Sequence, residues 1–85
     1  MVEIIKKNLS GFTGKAWLVK KNKKIKFGET GETEYFVVSG TNAMFSGWEV
    51  LVFPATEEGD VLDWGEVCGG RGITHEDAMK ELEAL

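Results

Sequence analysis

Cys68 and His75 are the only thiol and the only imidazole in the chain, seven residues apart. A thiolate beside an imidazole is a possible nucleophile and base. A thiol next to a helix N-terminus also has a route to a lowered pKa. The segment between them, Gly69-Gly70-Arg71-Gly72, leads directly to a helix start. Backbone N–H groups there, together with Arg71, suggest an anion site. The spacing matches neither a P-loop nor a dinucleotide fingerprint, and Glu66, Glu76 and Asp77 stand close by. Three glycines that turn the chain from sheet to helix are the simpler reading. Residues seven apart across such a turn need not meet, and a histidine in a first helical turn is commonly solvated. No nucleophile, base and stabiliser converge in the sequence, so the expectation is a protein that is not an enzyme.

Metal chemistry has even less to work with. One His and one Cys do not make a zinc set. The acidic turn of Glu57, Glu58, Asp60 and Asp63 lacks the alternating ligands and distal Glu of a calcium loop. No metal and no cofactor are expected.

The charge pattern points to recognition instead. Residues 1–26 carry eight Lys against Glu3, or +7, while residues 27–85 carry thirteen acids against Arg71 and Lys80, or −11. Such asymmetry bears on partners and solubility rather than on fold. The plainest use is internal, with a basic strand pair lying beside an acidic remainder. Two outward uses stand beside it. Glu57, Glu58, Asp60, Asp63 and Glu66, with Trp64 as an aromatic anchor and Arg71 nearby, form a surface for a basic protein partner. Alternatively Lys20, Lys21, Lys23 and Lys24, near Trp17, meet a nucleic-acid backbone. Every cation in that cluster is Lys, with no Arg to read guanine edges. Lysines on an edge hairpin also deter strand-to-strand aggregation. For each Trp, packing in the core competes with exposure as an anchor.

The elements that must position these residues can be read from pattern. The chain has 85 residues, 42% hydrophobic, with eleven Gly, one Pro and three Trp. That is one domain, residues 1–85, rich in turns and too apolar to be disordered. A lone cysteine in so small a domain suggests a reducing compartment. The opening MVEIIKK has no secretory h-region, and no apolar run reaches membrane-spanning length. The expectation is a cytoplasmic protein without a membrane segment.

Residues 1–11 read as a short edge strand or a loose arm. Residues 15–28 read as a β-hairpin with a polar tip at Lys20 to Lys24, where Asn22 tolerates the left-handed conformation of a tight turn. Trp17 and Val19 share one face and Ala16 and Leu18 the other. A second turn lies between Gly28 and Gly31. Residues 33–39, with the run Tyr35-Phe36-Val37-Val38, read as a strand that is buried on both faces or central in the sheet. Residues 40–47 form a loop carrying Met44 and Phe45. Residues 48–53 are a strong strand that Pro54 ends, paired in a second hairpin with a weaker strand over 61–67. Residues 68–72 are a flexible connection. Thr74 with Asp77 suggests an N-cap and capping box, and Ala78, Met79, Leu82 and Leu85 mark one helical face. The expected fold is α+β: an antiparallel meander of four to five strands with one C-terminal helix packed on it. A free sheet edge also permits a homodimer or larger assembly.

From Tyr35 to Leu85 the chain resembles small accessory proteins of phages, prophages and other mobile elements. The matching residues are Phe53, Pro54, Ala55, Gly59, Asp63, Trp64 and Glu66, then Gly70, Arg71, Gly72 and His75. The basic segment before Tyr35 lies outside this likeness. The resemblance implies a mobile-element accessory protein and supplies no catalytic residue; an inhibitor of a host defence protein such as a nuclease is one concrete form of the protein-partner reading.

Overall fold

The computed structural model describes residues 2–12, 14–43 and 47–85. Met44 and Phe45 lie outside them, and of the loop expected over 40–47 residues 40–43 and 47 are instead in strands. The strands are β1 (Val2–Lys6), β2 (Lys15–Phe27), β3 (Gly31–Ala43), β4 (Gly47–Ala55) and β5 (Cys68–Arg71), followed by α1 (His75–Ala84). They form one antiparallel sheet in the order β1-β2-β3-β4-β5, with the helix packed on one face. The α+β meander is as the pattern predicts, and β1 resolves the choice for residues 1–11 in favour of an edge strand.

β3 occupies the centre because its side chains are apolar on both faces. Phe36, Val37 and Val38 are all fully buried. Phe36 and Val38 join Val19, Val50, Val52, Ala78 and Leu82 beneath the helix. Val37 joins Ala16 and Ala55 on the opposite face, closed by Leu9, Phe12 and Val61. Thus the alternation of Trp17 and Val19 against Ala16 and Leu18 carries through to two cores.

Three further sequence expectations are corrected. The first is the hairpin over 15–28: β2 is a single strand of 13 residues. A two-residue turn needs positive φ, and no described non-glycine residue has it, Asn22 included. The chain instead absorbs the polar stretch as a register shift between Lys20 and Ile25. The reversal comes at residues 28–30, with Gly28 at φ 59. There the Phe27 ring covers its cross-strand partner Gly31, so a Cβ at Gly31 would lie 2.4 Å from the ring.

The second concerns Pro54, which does not end β4. It stays in register with Phe36, and its carbonyl accepts from Leu62 N at 2.8 Å on the side away from β3. A strand residue points its N–H and C=O to the same side. The missing donor therefore falls on the outer edge, and the ladder to β3 is intact. Residues 61–67 meet that outer edge only at the bridge Ala55↔Val61 and at the bonds from Leu62 N and Val67 N, so they are not a strand.

The third is the flexible connection over 68–72. Its residues Cys68–Arg71 are β5, paired with β4 from Val52 to Glu49. The helix then starts as expected. Thr74 accepts from Asp77 N and the Asp77 carboxylate accepts from Thr74 N, closing the capping box. These bonds hold the Asp77 carboxyl below its ordinary pKa. Ala78 and Leu82 are buried, whereas Leu85 is exposed beyond the helix end.

Candidate functional site

Residues 56–66 cross from β4 to β5 over the face opposite the helix. Three bonds turn the first part: Thr56 N to Asp60 O (2.8 Å), Gly59 N to Thr56 O (3.0 Å) and Asp60 N to Thr56 Oγ1 (3.1 Å). Gly59, at φ 96, sits so close to Leu9 that a Cβ would meet its side chain at 3.0 Å. The turn is thereby clamped to the β1–β2 connection. Asp63 Oδ1 accepts from Gly65 N at 2.7 Å, a local turn that swings Trp64 outward.

Trp64 is 67% exposed, the most of any exposed large hydrophobic residue among those described. It is nevertheless held. Its ring meets Phe53 edge-on at 5.2 Å and Phe12 at 6.5 Å. An aromatic pair of this kind contributes about 1 kcal/mol and restricts the ring's freedom. Beside it lies a shallow cleft of about 330 Å³ between Ser10–Phe12 and Gly59–Val61. Glu57, Glu58, Asp60 and Glu66 are exposed on the same crossing segment, while Asp63 is half-buried and spends one oxygen on its turn. Arg71 is exposed but sits on β5 opposite Glu49. All five acids and Trp64 therefore lie on one crossing segment, with four of the acids exposed, and Arg71 belongs to the sheet edge.

The lysine cluster is differently placed. Lys21 is buried on the helix side, donating from Nζ to Leu82 O at 2.7 Å and Glu83 O at 3.0 Å. Lys20 pairs with Glu34 at 3.6 Å and Lys24 with Glu32 at 3.9 Å. Tyr35 and Glu34 raise the Lys20 pKa. Part of the basic strand thus lies against acidic β3, which is the internal use of the charge split. Lys23 stays exposed.

Cys68 and His75 serve the fold. The Cys68 thiol lies 3.8 Å from Ala78 O, and burial, with Glu81 adding to it, pushes the thiol from its ordinary 9.0 up to about 11. The lowered pKa that a helix N-terminus suggested is overturned by this desolvation. His75, expected to be solvated, is buried. Its Nε2 lies 3.0 Å from Lys15 O, and its ring packs 4.6 Å from Trp17 and 6.5 Å from Trp48. At pH 8 a thiol of pKa about 11 holds roughly hundredfold less thiolate than one of 9.0. Iodoacetamide should therefore label Cys68 at least tenfold more slowly than a free thiol, and urea should restore the rate. Fast labelling of the native protein would contradict this placement.

Among the described residues no group of three or more His, Cys, Asp or Glu could hold a metal ion, and no helix is long and apolar enough to cross a membrane. Sequence reasoning missed the role of Lys21. The alternation that pairs Trp17 with Val19 already places Lys21 on the same face. No protein-family model, curated protein or solved structure matches the chain.

Proposed function

We propose that this chain is a non-enzymatic interaction module that takes a basic protein partner on the Trp64 face. The observation that carries the reading is a tryptophan 67% exposed yet held by two phenylalanines. Burying a large apolar side chain against a partner is favourable by about 1.5–3 kcal/mol, and a ring already held in place loses little entropy when it binds. Glu57, Glu58, Asp60 and Glu66 give the rim its negative charge, which speeds encounter with a basic surface and selects against acidic ones. The resemblance to mobile-element accessory proteins fits a cytoplasmic role as a modulator of another protein, with a host defence protein as one such target. Contact with nucleic acid through Lys20, Lys21, Lys23 and Lys24 ranks below it, because three of these four lysines are engaged within the domain.

The test is quantitative capture from a bacterial lysate with the wild type, the Glu57→Lys/Glu58→Lys/Asp60→Lys variant and a Lys23→Ala control. A basic protein retained by the wild type and the control, and lost from the charge-reversed variant, is the expected result. An identical set of captured proteins on all three baits would reject this surface.

A further inference from the structure

The sheet has two edges, and they are not equivalent. β5 is four residues long, and its Gly69 N already donates to Glu81 Oε1 of α1 at 3.2 Å. β1 pairs only with β2, and among the described residues no strand lies along its outer side. An unpaired strand edge offers a row of backbone donors and acceptors. The side chains along β1, read with its register, select what pairs there. Glu3 is opposite Lys20, Ile4 opposite Val19 and Lys6 opposite Leu18, with a register shift between Ile4 and Lys6. Residues of β2 two apart share a face, so Glu3 and Lys6 share one too, opposite the helix side that Val19 occupies. In a strand without the shift, residues three apart face opposite ways. Both are exposed, and among the described residues neither is in an ion pair. Between them Ile4 and Ile5 are 37% and 46% exposed.

We propose that a second copy of this chain pairs on the β1 edge, antiparallel and related by a twofold axis, joining the two sheets into one. A pair centred between Ile4 and Ile5 sets Glu3 opposite the other copy's Lys6, twice by symmetry, and Ile4 opposite Ile5. Centring the pair on Glu3 or on Lys6 instead brings like charges together and shortens the overlap, so charge fixes the register. Ile4 also lines a groove of about 570 Å³ between β1 and α1, with Trp17 and Met79. The isoleucine set opposite it faces the same side and extends that apolar wall.

The remaining charges nearby do not favour another occupant. Lys7 Nζ lies 5.0 Å over the Trp17 ring, and in the groove Lys7 and Lys80 balance Glu76 and Glu83. Lys23 is exposed on β2, one strand back from the edge and two residues past Lys21, the partner of Val2. Lys6 opposes the approach of a basic strand, but in an antiparallel copy it meets Glu3. The pairing uses one edge of each copy and so closes at two. The β5 strands become the outer edges, each with Gly69 N bonded to its own helix. This surface is separate from the Trp64 face and stands or falls without it.

The test is sedimentation equilibrium of the full chain at low salt, with amide hydrogen exchange as a second readout. The wild type is expected to dimerise with a Kd on the order of 0.1 mM, as suits a short strand pair, and its β1 amides to exchange more slowly as concentration rises. Glu3→Lys and Lys6→Glu should each weaken association about tenfold or more, because each sets like charges opposite one another. Mixed one to one, the two variants should pair as well as the wild type, and Glu3→Lys/Lys6→Glu should regain wild-type association. Recovery on mixing also shows that both variants fold. Trp64→Ala should change association less than about twofold. A wild type that stays monomeric up to about 1 mM would overturn the proposal, as would dimers that survive in both single variants or do not return on mixing. Protection of β1 only by an added valine–glutamate or valine–lysine peptide would overturn it in favour of a segment of another protein, and protection only by oligo-dT in favour of nucleic acid.

Discussion

Replacing Lys21 by methionine is expected to destabilise the domain by about 2–3 kcal/mol. Methionine keeps the apolar stem and removes the ammonium. The last turn of α1 holds no basic residue, and its acids Glu81 and Glu83 oppose the helix dipole. The compensating cation comes from β2. Lys21 Nζ donates to both Leu82 O and Glu83 O while remaining 5% exposed. Charge-assisted bonds to carbonyls at the negative end of a helix are among the stronger single contacts in a domain this small. The loss should lower Tm by on the order of 10–20 °C, measured by calorimetry and by urea titration. Lys23→Met, an exposed neighbour on the same strand, should change stability by less than about 0.5 kcal/mol. Equal stability of the two variants would show that the ammonium does not hold the helix to the sheet.

Gly69→Ala should be more damaging still, at about 3–5 kcal/mol. Gly69 has φ +120, and a Cβ there would lie 2.3 Å from Val50 O and 2.8 Å from Leu51 Cα. Both obstacles are backbone atoms of β4, so no side-chain rotation relieves them. Since a small domain has a total stability of roughly 5–15 kcal/mol, β5 would have to leave the sheet or the fold would fail. Gly70→Ala is the internal control: nothing lies within 4 Å of its Cβ position. It should cost less than about 1 kcal/mol in the same urea titration. Similar losses at the two glycines would mean that β5 is not seated against β4 in this register.

These two residues also mark where sequence pattern is informative and where it fails. The run Tyr35-Phe36-Val37-Val38 announces a central strand because burial on both faces demands continuous apolarity. Thr74 and Asp77 announce the helix start because three residues close the box. Lys21 was hidden by its neighbours: a run of lysines reads as a solvated turn, and only the location of the helix end shows that one of them is consumed there. β5 was hidden because its strand character is purely backbone. The small size that lets Gly69 approach β4 is the feature that reads as flexibility. Pro54 misled because its missing N–H matters only on one side of β4. Of the candidate site, the acids were legible as a group, but Trp64 lies among residues whose alternation resembles a strand. Its exposure comes from the Asp63–Gly65 turn, a local geometry that composition does not show. Arg71 was joined to that surface by nearness in sequence, and the strand it occupies takes it elsewhere.

The most direct test of the proposed partner surface compares the two most exposed indoles, Trp64 and Trp48, at 67% and 40%. Affinity for the basic protein retained in the capture experiment would be measured by calorimetric titration with Trp64→Ala and Trp48→Ala. An anchor on the Trp64 face predicts a loss of about thirtyfold or more for Trp64→Ala, with less than threefold for Trp48→Ala, which lies against His75 at the other cluster. Equal losses, or a larger loss at Trp48, would contradict it and move the partner away from the acidic segment.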